Sequence, residues 1–305
     1  MSGLANGTSS LARELREAGI DFRLDESLAR HTSMGLGGPA DVLARPTSVP
    51  DMVKLFALAR AADLPVRILG AGSNLLIDDA GFRGMVIATG TLEEVHFPGG
   101  PMVEAGAGVH FPALVRQTAA RGLRGLEAGV GIPGSLGGIL TMNAGAYQFS
   151  IGSMVGEVEA VSPEKGRVVL RGEQIDFRYR ASSFGENLVV ARVKLLLTPD
   201  DALAIKRDMN QHMRFRKETQ PVGVKSAGCI FKNPEGDSAG RLIDCAGLKG
   251  FSVGGARVSE VHANFIVHEG RARTKDVLAL IDAIREKVLR ETSVLLETEV
   301  MTWSP

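Results

Sequence analysis

Two glycine-centred loops are the first places in the 305-residue chain where residue type and spacing point to chemistry. Gly70-Ala71-Gly72-Ser73-Asn74 lies between the apolar runs 66–69 and 75–77, and Leu75 follows it directly. The second loop runs Gly129-Val130-Gly131-Ile132-Pro133-Gly134-Ser135. Glycine lets successive backbone N–H groups approach a ligand closely. Such a nest suits a pyrophosphate, and Ser73, Asn74 and Ser135 add side-chain donors. The second loop fits GxGxxG, but Pro133 sits inside it and Gly137-Gly138 follows. No acidic residue stands near position 150, where a nicotinamide dinucleotide's ribose would need one, so a Rossmann reading is poor. Tight turns in a β-rich domain would explain either loop alone. The two together favour one large dinucleotide ligand.

Elements able to position these loops follow from the pattern. Residues 10–20 read as a short amphipathic helix ending near Gly19, 40–44 as a strand, and 48–65 as a helix starting near Pro50. Residues 66–77 read as strand, glycine turn and strand, then 84–89 as a strand and 102–109 as a strand running into a glycine turn. Residues 111–123 read as a helix closed by Gly122. The stretch 126–147 is too punctuated for one regular element. Short strands fill 155–198, a helix 199–221 and a short helix 240–248, with a strand at 263–270. The clearest helix is 274–292, with apolar positions at 277, 280, 281, 284 and 288 and Thr274 as its expected N-cap. Residues 294–303 are expected to end the chain as a strand.

Composition narrows the function class. Lys+Arg and Asp+Glu are both 35, so formal charge is zero, and no general attraction to nucleic acid or a membrane surface follows. Aromatics are 5%, too few for base-stacking platforms. Glycine is high, at 37 residues, and clustered rather than periodic. Two cysteines, Cys229 and Cys245, exclude a disulfide scaffold and fit a reducing compartment. None of the six histidines has metal-site spacing, and no metal is expected. No leader or membrane span is evident, so a cytoplasmic location is expected.

Six separated motifs occur in one order: TSMGLGGPAD, ILGAGSNLL, GVGIPGSLGG with MNAGAY, FRYRASSF, SAGCIFKNP and LETEV. In this they resemble the UDP-N-acetylenolpyruvoylglucosamine reductases, in the compact form that lacks an extra tyrosine-bearing insertion. The resemblance spans about residues 31 to 301. It implies an α+β fold: an FAD-binding domain of the vanillyl-alcohol-oxidase type in two lobes, then an α+β substrate-binding domain. The implied division is an N-terminal helical segment at 1–30, FAD lobes at about 31–90 and 91–199, and a substrate domain at 200–305. Its last strand would return toward the flavin site. Gly70 to Leu75 would hold non-covalent FAD together with Gly129, Ile132, Pro133, Gly134, Ser135, Gly138, Asn143 and Gly145.

The implied reaction reduces UDP-N-acetylglucosamine-enolpyruvate to UDP-N-acetylmuramate. NADPH gives hydride to FAD N5, which passes it to the enolpyruvyl carbon; a proton then completes the reduction. Arg180 matches the family's carboxylate-binding arginine, and a guanidinium suits an oxyanion that gains charge in the transition state. Cys229 takes the proton-donor position, where many relatives have serine; a thiol is the stronger acid. Glu299 matches the third catalytic position. In a strand Glu297 and Glu299 would share a face, so only the motif register selects between them. Tyr179, Lys232, Asn233 and Asn264 are expected to touch substrate. Gln148 and His268 depart from common family residues, Gly and Asn, outside the reacting centre. A monomer is expected. The alternative is another FAD oxidase or dehydrogenase of the same superfamily.

Overall fold

The computed structural model describes residues 2–146 and 149–305, so Gln148 lies outside the described residues. Contacts divide the chain into two units. The first holds the chain up to Glu26, Ala40–Ala71 and Arg83–Arg214; the second holds Ser27–Pro39, Gly72–Phe82 and Phe215–Pro305. Each has its own buried apolar core. Helices and mostly antiparallel strands make the class α+β, as expected.

In the first unit, α1 (Ser2–Glu17) starts earlier than its periodic part suggests and buries Leu11, Ala12 and Leu15. Helix α2 (Val49–Ala61) is started by Ser48, whose Oγ accepts from the Asp51 N–H at 3.2 Å. Its Met52, Leu55, Phe56 and Ala59 recur at helical spacing and are buried. A four-stranded sheet has the spatial order 21–27, 39–45, 82–88, 66–69. Its last pair is parallel, from Val66↔Met85 to Leu69↔Ala88. A five-stranded sheet has the order 166–171, 155–162, 189–196, 102–106, 95–99. The central strands bury Val158, Ala160, Val193, Leu195, Val103 and Ala105, whereas 166–171 alternates as an edge strand does. Helix α3 (Phe111–Ala120) gives way to Gly122 at φ +67°, the left-handed stop its sequence signals. A short helix α4 (Leu136–Thr141) follows the second glycine loop, and α5 (Ala202–Thr219) runs over the surface with only Ile205 buried.

The second unit packs α6 (Ala239–Cys245) and α7 (Thr274–Thr292) with a three-stranded sheet, 252–253, 256–258, 266–267. All five periodic positions of α7, Val277, Leu280, Ile281, Ile284 and Val288, are buried. Its expected N-cap is corrected: Arg273 holds that position, and the Asp276 side chain accepts the Arg273 N–H at 2.9 Å. Thr274 instead donates its hydroxyl to the Ile77 carbonyl at 2.6 Å. Asp79 accepts from the N–H groups of Thr274 and Lys275, at 3.0 and 3.2 Å. Two expected strands are shorter than their patterns. Strand geometry in 263–270 is limited to Ile266–Val267, and in 294–303 to Met301–Trp303, with one isolated bridge, Phe231 to Thr298, before it. The 301–303 strand pairs in parallel with 75–77, Met301 opposite Leu75.

By contacts, residues up to 26 belong with the first core, and 27–39 and 72–82 group with 215–305.

Candidate active site

In the first unit the two glycine segments meet. A methyl group on Gly70 would stand 2.5 Å from Ser135 Oγ, and one on Gly138 3.5 Å from it. Ser135 is 2% exposed, and its hydroxyl has no hydrogen-bond partner among the described residues. A buried hydroxyl without a partner is costly, about 1–3 kcal/mol, and calls for an explanation. Set beside Gly70, where a methyl would not fit, and near Gly138, it fits a bound group with hydrogen-bonding oxygens. The other glycines there answer to packing. A methyl on Gly129 would strike the Phe111 ring at 2.7 Å, one on Gly137 Ala107 Cβ at 2.8 Å, and one on Gly145 the Phe149 carbonyl at 2.2 Å. Gly134 accepts from the Phe111 N–H at 3.0 Å. Pro133, Gly138 and Ala71 are exposed and Ile132 is half-buried.

Arg180 sits on the tip of a two-residue hairpin. Phe177 pairs with Ser182 and Arg178 with Ala181, leaving Tyr179-Arg180 as the loop. Arg180 has φ +55°, a left-handed conformation rare outside glycine and asparagine. Three bonds staple this hairpin to the last residue of α4 and the segment after it. Asn143 Nδ2 donates to the Arg178 carbonyl at 2.9 Å, and Ser182 Oγ to the Thr141 carbonyl at 2.7 Å. Arg180 Nη1 donates to the Gly145 carbonyl at 2.8 Å. Asn143 Oδ1 also accepts from Ser150 Oγ at 2.6 Å and the Gly152 N–H at 3.2 Å. Asn143, expected to hold cofactor, therefore ties three protein segments together. Tyr179 is 59% exposed, with the Arg180 guanidinium 5.5 Å from its ring centre.

In the second unit the other half of the first loop, Gly72 to Leu75, meets the cysteine segment and the chain end. Gly72, at φ +61°, lies so close to the His31 carbonyl that a methyl would stand 2.0 Å from it. Ser33, unmarked by sequence reasoning except as part of a motif, joins the pieces. Its N–H donates to the Gly72 carbonyl at 3.0 Å and its hydroxyl to the Ser226 carbonyl at 2.7 Å. Asn74 Nδ2 donates to the Glu299 carbonyl at 3.2 Å, and the Asn74 carbonyl accepts from the Met301 N–H at 3.1 Å. Leu75 is buried in the pairing with Met301.

Cys229 is half-buried, outside any disulfide, and bridged to Phe265. One residue on, the Ile230 carbonyl accepts from both Glu299 and Val300 N–H, at 2.8 and 3.3 Å, while Phe231 bridges Thr298. Two successive N–H groups on one carbonyl mark a β-bulge, which re-aims side chains. The backbones bearing Cys229 and Glu299 are thus brought together. Geometry also separates the two acids the periodicity could not: Glu297 is 74% exposed with Lys232 Nζ at 3.2 Å, whereas Glu299 is half-buried.

Three expected substrate contacts have protein partners. Lys232 pairs with Glu297. Asn233 Oδ1 accepts from the Ala239 N–H at 3.1 Å, at the start of α6. Asn264 is 2% exposed, and its amide is bonded to Phe231 at both ends. His268 is buried with Nε2 2.6 Å from the Met34 carbonyl, and Nδ1 accepts from the Gly270 N–H at 3.0 Å. Among the described residues no group of three or more His, Cys, Asp or Glu could hold a metal, and no helix is long and apolar enough to cross a membrane.

Residues 220–303 match the UDP-N-acetylenolpyruvoylglucosamine reductase C-terminal domain, and 40–170 match an FAD binding domain. The chain is 42% identical to a UDP-N-acetylenolpyruvoylglucosamine reductase of Moorella thermoacetica, over 97% of this chain and 98% of the relative. It is 43% identical to UDP-N-acetylenolpyruvoylglucosamine reductase 2 of Symbiobacterium thermophilum, over 97% of each. The crystal structure of the Thermus caldophilus UDP-N-acetylenolpyruvylglucosamine reductase matches with a TM-score of 0.81 at 39% identity, covering 93% of this chain and 99% of that one. Likeness of this degree over nearly the whole length places the chain in the UDP-N-acetylenolpyruvoylglucosamine reductase family, as an FAD-dependent oxidoreductase.

Proposed function

We propose that the chain reduces the enol-ether double bond of UDP-N-acetylglucosamine-enolpyruvate, giving UDP-N-acetylmuramate with NADPH as electron donor. The family supports this reading, and so does the link from Asn74 of the first glycine loop through Glu299 to the backbone beside Cys229. Gly70, Gly72 to Asn74, Ser135 and Gly138 are the residues proposed to hold FAD. When bound, FAD supplies two-electron transfer between the nicotinamide and the enolpyruvyl group.

The chain's own residues handle the charge and the proton. As electrons enter the double bond, charge moves onto the enolpyruvyl carboxylate. Arg180, held on its hairpin tip by the Gly145 carbonyl, is proposed to bind that carboxylate more strongly as the charge grows. The Cys229 thiol then gives its proton to the carbon bearing the ether oxygen. The S–H bond breaks, a C–H bond forms, and the thiolate regains a proton from solvent before the next cycle. Glu299, carried on the bulge opposite Ile230, orients the donor and assists protonation. Ser33 and Asn74 keep the loop and the donor segment in register.

Stopped-flow measurement of the two half-reactions tests this. Cys229→Ala is expected to leave flavin reduction by NADPH nearly intact, because that step uses no protein proton. Reoxidation by the enolpyruvyl substrate should slow roughly 10²–10⁴-fold, the usual value of general acid catalysis. Equal slowing of both half-reactions would sink the role given to Cys229, and a protein that takes up no FAD would sink the reading as a whole.

A further inference from the structure

Resting on that reading, we infer that Asn264 is a positioning residue for the Cys229 proton donor, its side-chain amide closing on both the N–H and the C=O of Phe231. Asn264 Oδ1 accepts from the Phe231 N–H at 2.9 Å, and Nδ2 donates to the Phe231 carbonyl at 2.8 Å. The Asn264 carbonyl accepts from the Ile230 N–H at 2.9 Å. A side chain here does the work of a neighbouring strand: it satisfies a paired donor and acceptor where no regular sheet forms. A buried amide satisfied at both ends fixes its surroundings more firmly than a solvated one.

The need for such a clamp lies in the residue before the cysteine. Gly228 has φ +76°, and a methyl there would meet no heavy atom within 4 Å. The backbone entering Cys229 therefore passes through a left-handed glycine with open space beside it. A bridge to Phe265 holds Cys229 itself, and further restraint lies on its C-terminal side. The Asn264 amide grips one edge of Phe231, and the bridge from Phe231 to Thr298 grips the other. Cys229 sits between pivot and clamp. A proton donor must be within hydrogen-bond reach of the carbon it serves, and misplacement by an ångström slows such steps strongly.

The test uses FAD-loaded enzyme in a Cys245→Ser background, which leaves Cys229 as the sole thiol. Asn264→Leu removes both bonds to Phe231. Reoxidation by the enolpyruvyl substrate is expected to slow about 10–100-fold. Reduction by NADPH should stay within about twofold. The pH profile of Cys229 alkylation by iodoacetamide should shift as well, a readout that simple loss of stability would not move. Asn264→Asp keeps the acceptor for the Phe231 N–H but loses the donor, and should fall between parent and Leu variant in both measurements. If Asn264→Leu yields no folded, FAD-bound protein, Asn264→Asp decides alone. Parental reoxidation with an unchanged alkylation profile overturns the inference, as does equal slowing of both half-reactions. Failure of the underlying reading shows differently: Cys229→Ala would then reoxidise normally, while the alkylation shift at Asn264 persisted.

Discussion

Arg180 shows how a single residue is fitted to its role against its own preference. A non-glycine residue in the left-handed region costs about 1–2 kcal/mol, and here the hairpin's staples to Thr141, Asn143 and Gly145 hold it there. Asparagine tolerates that backbone far better than most residues but carries no charge. Arg180→Asn is therefore expected to leave the thermal midpoint nearly unchanged while slowing reoxidation by the enolpyruvyl substrate about 10²–10³-fold. The drop should be confined to that half-reaction; an equal loss in reduction by NADPH would mean that the arginine acts through the fold. The sequence held the identity of this residue in FRYR, but nothing in the residue types announces a left-handed conformation. Asn264 shows the opposite limit. A polar residue in a short apolar run looks like a ligand contact, and only coordinates reveal that its partner is the backbone of Phe231, 33 positions earlier.

Among elements, helices were the most legible, because their signal is local and repeated. The spacing of 277, 280, 281, 284 and 288 specified the buried apolar face of α7, to which Thr274 adds a buried polar residue. Its cap was not legible, since the N–H groups of Thr274 and Lys275 are answered by Asp79, far away in sequence. The 262–265 turn is a similar case with a pH consequence. His262 Nδ1 accepts from the Asn264 N–H at 3.2 Å, and its ring lies edge-on to Phe265 with centroids 5.0 Å apart. Burial lowers the His262 pKa below the ordinary histidine value, and the nearby Lys249 charge pushes the same way. The folded state thus prefers the neutral ring. Its contribution to stability is complete above the unfolded pKa of about 6.5 and is lost as pH falls through that value toward the lower folded one. Protonating Nδ1 also removes the acceptor for Asn264. His262→Asn puts an amide oxygen in reach of the same N–H, as an Asx turn does, and cannot titrate. The thermal midpoint of the parent is expected to fall more steeply as pH drops below about 6.5 than that of His262→Asn. Coincident profiles would assign the acid sensitivity to another group.

At the scale of the whole molecule, the chain is divided by contacts rather than by sequence blocks. The FAD binding domain match covers 40–170, yet residues 72–82 inside it group with the C-terminal stretch. This division was illegible because the links that join 72–82 to the C-terminal stretch, among them a three-residue parallel pairing between 75–77 and 301–303, span about two hundred residues of sequence. It has a consequence for folding. Residues 215–305 alone would lack Met34 and Leu76, both essentially inaccessible in the second core, and the strand partner of 301–303. They would also lack Ile77 and Asp79, which hold the first turn of α7. Truncating a single such core side chain removes about 2–5 kcal/mol, against a total of about 5–15 kcal/mol for a typical domain. Losing two of them with the pairing strand and the cap should remove most of what a segment of this size can hold. The isolated 215–305 fragment is therefore expected to show no cooperative urea transition by far-ultraviolet circular dichroism, although α7 retains strong helical periodicity. A sharp cooperative transition in that fragment would show that the C-terminal stretch closes its own core, and that residues 72–82 contribute only to the ligand site.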